Sequence, residues 1–246
     1  MTPLRLRARL RDFTPARVGL GRTGHSLPTR ELLDFQLAHA RARDAVHASL
    51  DTAMLALEWT ERGHEVLLAQ SAAQNRNVYL RRPDLGRRLS DLSRVLLGAR
   101  RNDFDVVFVV ADGLSALAIE RHASRLLDLL LPRLDAPAWR VAPLVLVEQG
   151  RVAIGDEIGL VLGAALSVTL IGERPGLSSP DSLGVYLTWD PRPGLTDAER
   201  NCISNIHGQG LSYAAAAHKL LFLMTEARRR ELSGVALKET AGLLEA

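Results

Sequence analysis

Cysteine, lysine and aromatic residues are scarce in this 246-residue chain: it has one cysteine, and Phe, Trp and Tyr together make up 4%. A single cysteine excludes an internal disulfide framework, so Cys202 is expected as a free thiol. Lys219 and Lys238 are the only lysines, and the formal charge of +3 is carried by arginine interspersed with acid. Its clusters are Arg5 to Arg11, Arg81-Arg82, Arg87-Arg88, Arg100-Arg101 and Arg228-Arg229-Arg230. A nucleic-acid surface concentrates basic charge and interleaves it with aromatics, so solvated faces and protein contacts are the expectation here. The longest uncharged apolar run, Ile158 to Gly172, is bounded by Glu157 and Glu173 and is too short to span a bilayer. No leader of charged, apolar and small residues opens the sequence, from which an intracellular, unprocessed protein is expected. Walker A, HExxH and CxxC sequences are absent and the seven histidines are scattered, so neither a P-loop nor a zinc site is expected.

What is present is an ordinary globular composition, 47% apolar and 24% charged, in a chain long enough to bury a sizeable core. Two halves differ in periodicity. Leu32, Phe35, His39, Ala42 and Val46 recur at helical spacing, predicting a helix from a cap at Thr29 to about Leu50. A second helix is predicted from Asp51 to Arg62, ending at Gly63, and Leu85, Leu89, Leu92 and Leu96 mark a third after Pro83. Residues 1–101 therefore read as a mostly helical N-terminal region.

From Asn102 the pattern changes. Asp105 to Ala111, Val141 to Val147, Leu166 to Ile171 and Leu183 to Thr188 are strand candidates. Helical stretches from Leu114 to Leu131 and from Ile154 to Gly163 separate them. Apolar strands alternating with helices predict an α/β architecture, with residues 102–246 forming a Rossmann-like, mainly parallel sheet domain. Thr196 and Glu199 fit a capping box, Asn201 to Gly210 reads as irregular chain, and Ser212 opens a long final helix. In such sheets ligands bind beyond the carboxyl ends of the strands, which selects the loops 112–115, 148–152 and 173–176.

Gly19-Leu20-Gly21-Arg22-Thr23-Gly24 matches GxGxxG, but that motif binds a dinucleotide only between a strand and a helix N-terminus. Here Thr14-Pro15-Ala16-Arg17 precedes it and His25-Ser26-Leu27-Pro28 delays the helix. His39 and His218 read as packing residues. Cys202 has no nucleophile signature around it and reads as a small hydrophobe. Glu173, at the end of an apolar strand, must find a partner or solvent; an ion pair with Arg174 or a structural turn competes with a ligand contact.

Gly21 to Thr29, Asn77 to Leu89, Val110 to Ser115, Gly150 to Gly159, Gly172 to Leu177 (GERPGL) and Asn201 to His207 (NCISNIH) resemble the small subunit of ethanolamine ammonia-lyase. That family converts ethanolamine to acetaldehyde and ammonia with adenosylcobalamin. The resemblance implies a base-on cobalamin lying between this chain and a larger partner subunit that carries the substrate site. It implies Val152, Glu173 and Cys202 as cofactor contacts, no catalytic residue on this chain and no protein ligand to cobalt. The D-x-H-x-x-G sequence of base-off cobalamin domains is missing, since Asp112 is followed by Gly113 and Leu114. Homolysis of the cobalt–carbon bond is the implied start of the reaction. The implied setting is the bacterial cytoplasm; packaging into a microcompartment is put in doubt by the short segment before the family core, although arginine-rich Met1 to Asp12 still suits an amphipathic stub. Rival readings are an assembly subunit without cofactor contact and a nucleotide-dependent enzyme using Gly19 to Gly24.

Overall fold

Central strands too apolar to face water on either side organise the chain into a sheet with helices on both faces. The computed structural model describes residues 13–14, 16–135 and 138–238; the arginine-rich segment 1–12 lies outside them. Within these residues the strands are β1 (Val66–Gln70), β2 (Phe104–Ala111), β3 (Leu144–Glu148), β4 (Ala164–Gly172), β5 (Leu183–Trp189) and β6 (Arg200–Ile206). They form one sheet in the order β1-β3-β2-β4-β5-β6. The first four in that order are parallel, whereas β5 runs antiparallel to β4 and β6 antiparallel to β5. The architecture is mixed α/β with a mostly parallel sheet.

The helices are α1 (Thr29–His47), α2 (Thr52–Glu61), α3 (Arg76–Arg81), α4 (Asp91–Gly98), α5 (Ala116–Leu130), α6 (Ile154–Leu162) and α7 (Tyr213–Arg230). Successive side chains of a strand point to opposite faces, and β2 divides accordingly. Val106, Phe108 and Val110 join Trp59 of α2, Ile119 and Leu126 of α5 and Leu220 of α7 in one core. Val107 and Val109 join Leu97 of α4 and Ile158 of α6 in the other. Asp51, Ser115 and Ser212 cap their helices by accepting the amides of Met54, Ala118 and Ala215. The run from Ile158 to Gly172 divides at Gly163, whose φ of 79° ends α6 before β4 begins.

Several expectations are corrected. The leucines from Leu85 to Leu96 do not share one helix. Leu85–Arg87 is a single 3₁₀ turn, Leu89 bridges Ser71, and α4 starts only after Ser90, which caps it. The side chain of Glu157 accepts the Leu89 amide at 2.7 Å, so a tertiary partner holds the backbone out of the helix. Pro28 rather than Thr29 occupies the cap of α1, without a side-chain bond. Residues 141–143 stay outside β3, where Pro143 has no N–H for the ladder and Val141 forms only an isolated bridge. Asn201 to Ile206, read as irregular, belongs to β6, where Ile203 is buried while Cys202 and Ser204 are exposed. Finally, β1 arises inside the region expected to be mostly helical, and it hydrogen-bonds to β3 across residue 101.

Candidate functional site

At the carboxyl end of β4 the chain turns sharply because two glycines interlock. The Gly172 carbonyl accepts the Leu114 amide at 2.9 Å, and Gly113, with φ 57°, lies so close that a Cβ would sit 3.0 Å from the Gly172 nitrogen. Glu173 follows. Its amide bonds the Ser182 carbonyl at 2.9 Å, and its Oε2 accepts the Ser182 hydroxyl and, at 3.3 Å, the Asn205 amide. These bonds, rather than one to Arg174, orient the carboxylate. Beneath it is Gly184, where a Cβ would lie 2.9 Å from Glu173 Oε1, so a side chain at 184 would displace the carboxylate.

Gly184 pairs with Ile171, whose side chain belongs to the α6 side of the sheet. Two residues on, Tyr186 pairs with Thr169 and with Cys202, so Glu173, Tyr186 and Cys202 share that face. Cys202 is exposed. Although the residue as a whole is exposed, partial burial of its thiol against the neighbouring strand pushes it up from the ordinary range and the Glu173 charge adds to this, while the Tyr186 hydroxyl opposes it. Burial likewise raises the Tyr186 phenol, with Cys202 contributing. Cys202 is therefore a protonated thiol at neutral pH and a poor nucleophile.

Val152 lies between β3 and α6, half-buried against the apolar cluster that Tyr186 also borders. Its loop is pinned on three sides. The Gly150 amide donates to Asp112 Oδ1 at 3.1 Å, the Tyr79 hydroxyl to the Gly150 carbonyl at 3.3 Å, and the Arg151 amide to the Gly86 carbonyl at 2.7 Å. Gly155, in the first turn of α6, rests on Thr169 so closely that a Cβ would lie 3.0 Å from Ser167 Oγ and closer to Thr169. The row Thr169–Tyr186–Cys202 crosses two strand spacings, about 10 Å. A cavity of ≈ 760 Å³ opens beside Val152, with Arg151, Thr196 and Arg200 also in its wall.

Asp112, which supports the Val152 loop, is itself buried, and burial pushes its carboxyl up to about 6 against the opposing charge of Arg76. Arg76 reaches it at 3.3 Å and also bonds the carbonyls of Gly113 and Val46. Because the folded state binds this proton more tightly, its stabilisation is complete below the unfolded carboxyl range near 4 and is lost as pH rises through 6. Two powers of ten in proton affinity are worth about 3 kcal/mol. Between pH 4 and pH 7 the stability difference between wild type and Asp112→Asn should shift toward the variant by about that amount, read from urea midpoints. A pH-independent difference would contradict it.

A family model described as ethanolamine ammonia-lyase light chain matches residues 6–238. The chain belongs to the ethanolamine ammonia-lyase light-chain family. It is 62% identical over 236 residues to the ethanolamine ammonia-lyase small subunit of Pseudomonas fluorescens (strain Pf0-1), covering 94% of this chain and 86% of that relative. Identity to the corresponding subunit of Azotobacter vinelandii is 60% over 240 residues, covering 94% and 87%. For that of Ralstonia nicotianae it is 59% over 243 residues, covering 96% and 90%.

Of the residues that surround Glu173 and Cys202, Asn205 lies in the NCISNIH block, whereas Ser182, Gly184 and Tyr186 carry no motif that marks them. An adjacent-strand register would have found Tyr186 opposite Cys202, had β6 been recognised. The GxGxxG segment forms a Thr23–Ser26 bridged turn ahead of α1, with no strand before it among the described residues. Among the described residues there is also no group of three or more His, Cys, Asp or Glu able to hold a metal ion. No helix among them is long and apolar enough to cross a membrane.

Proposed function

We propose that this chain acts as the small subunit of an adenosylcobalamin-dependent ethanolamine ammonia-lyase. It supplies one wall of a base-on cobalamin site, and a larger partner subunit supplies the substrate site. The observation that carries the reading is the placement of Glu173 over Gly184, on the same open sheet face as Tyr186 and Cys202. That face suits a corrin. It is exposed at Cys202, the Glu173 carboxylate on it is positioned by neutral donors, and the absent side chain at 184 makes room for that carboxylate.

Adenosylcobalamin, when bound, supplies the radical chemistry of hydrogen abstraction. This chain binds and shields. Glu173 accepts amide N–H groups of the corrin rim in charge-assisted bonds. Val152 packs on the methyl-rich edge, and Cys202, held as a thiol, makes a small polarizable contact. Residues 102–246 form the cobalamin-binding part, and the helices of residues 1–101 contact the large subunit. The apolar surface of those helices supports the second assignment. In α1 only Ala45 is buried while Leu33 and Leu37 are exposed, and α4 exposes Leu92, Val95 and Leu96 at 55–70%, more than isolated surface leucines require.

Co-expression with the large subunit should give acetaldehyde from ethanolamine only when both subunits and adenosylcobalamin are present. Within that complex Glu173→Ala should weaken cobalamin affinity about 30-fold, the value of about 2 kcal/mol for a hydrogen bond to a charged acceptor. Unchanged affinity would favour the reading of an assembly subunit that holds its partner without touching the cofactor.

A further inference from the structure

The loop after β6 is built around a buried histidine. His207 is 8% exposed, and its Nε2 lies 2.8 Å from Asn205 Oδ1, while its Nδ1 accepts the Gln209 amide at 3.3 Å. With Nδ1 accepting an amide hydrogen, Nε2 is the ring nitrogen placed to donate to Asn205. The loop closes tightly over the ring. The Gly210 amide bonds the His207 carbonyl at 3.0 Å and the Leu211 amide bonds the Asn205 carbonyl at 2.7 Å. A Cβ on Gly210 would lie 2.7 Å from His207 Nε2.

What this loop fixes is Asn205. Its φ of 63° is left-handed, a conformation that costs most L-residues about 1–2 kcal/mol and that asparagine adopts more readily than others. In that conformation its amide donates to Glu173 Oε2, the oxygen that also receives the Ser182 hydroxyl. Both donors therefore act on one carboxylate oxygen. The other, Oε1, is the one above Gly184 on the face shared with Tyr186 and Cys202.

We propose that Asn205 and His207 are positioning residues for Glu173: the imidazole holds Asn205 in its left-handed conformation, and the Asn205 amide turns the carboxylate toward a bound corrin. This rests on the reading of Glu173 as a cofactor contact. Neither residue touches the cofactor in this arrangement.

The test is titration of the two-subunit complex with hydroxocobalamin, followed by absorbance, with the thermal midpoint of each complex measured alongside. His207→Leu, which fills the cavity without a donor, should weaken affinity about fivefold, and His207→Gln, which keeps an amide donor, should stay within about twofold of wild type. Asn205→Gly accepts a positive φ but removes the Oδ1 that anchors the residue to the His207 ring, and it should also lose about fivefold. In a Glu173→Ala background none of the three should lower affinity further. Equal losses in both backgrounds would mean a merely structural role and overturn the proposal, as would full affinity in Asn205→Gly. If Glu173→Ala alone leaves affinity unchanged, the reading of Glu173 fails first; if it weakens affinity while the loop variants do not, only the positioning proposal fails.

Discussion

Asp156→Leu is expected to cost the folded chain about 3–5 kcal/mol, because it leaves the guanidinium of Arg200 buried without its counter-charge. The two side chains are 2% and 3% exposed and hydrogen-bonded. Burial pushes the Asp156 carboxyl up, and Arg200 pulls it back. Arg200 also bonds the Leu195 carbonyl at 3.0 Å and Asp197 at 3.1 Å, but Asp197 is solvent-exposed and contributes little. The pair joins the first turn of α6 to the first residue of β6, so it holds the Val152 side of the proposed site against the Cys202 side. Arg200→Met should fall in the same range. The double variant Asp156→Leu/Arg200→Met should recover most of the loss, since an apolar pair of similar volume removes both desolvation penalties. Urea midpoints at constant slope measure this; a single-variant loss below about 1 kcal/mol would contradict it.

Gly172→Ala is expected to remove about 4 kcal/mol or more, or to prevent accumulation of folded protein. A Cβ at 172 would lie 2.7 Å from the Asp112 carbonyl oxygen and closer still to that of Ser115. Both are backbone atoms of the β2–α5 turn and no side chain can rotate away, which places the substitution in the large-effect class. Partial relief would come from moving the turn, and that movement would carry Glu173 with it. The surviving fraction should therefore show weakened cobalamin retention in the two-subunit complex as well as a lowered thermal midpoint. An alanine variant with wild-type stability would show that the two turns are not interlocked as described. The position thus accounts physically for the first glycine of GERPG: it lets one turn of the sheet edge lie on another.

Much of the architecture was legible because local signals agreed with the final packing. β2, β4 and β5 are apolar on both faces or alternate cleanly, α6 ends at a glycine, and α5 and α7 begin at serines whose caps are local hydrogen bonds. Misreadings arose where a distant partner overrode the local pattern. Leu89 keeps helical spacing with Leu85 and Leu92, yet Glu157, 68 residues away in sequence, takes its amide. β1 is short, at an edge, and exposes Leu68, so it carried no alternation to distinguish it from helix. In β6 the exposed Cys202, Ser204 and Asn205 look like loop residues, because that strand faces solvent on the side opposite the core.

The sequence by itself determined the family, the alternation of strands and helices in the second half, and the identities of Val152, Glu173 and Cys202 as residues to watch. Motif spacing and hydrophobic period are properties of adjacent residues, and they survive in one dimension. Only the tertiary structure decided that Glu173 and Cys202 share one face of the sheet, that Gly184 vacates the space beneath the carboxylate, and that the Asn205 amide and the Ser182 hydroxyl donate to it. Those relations depend on strand order, on register and on backbone approaches between segments that lie far apart in the chain, and no local pattern encodes them.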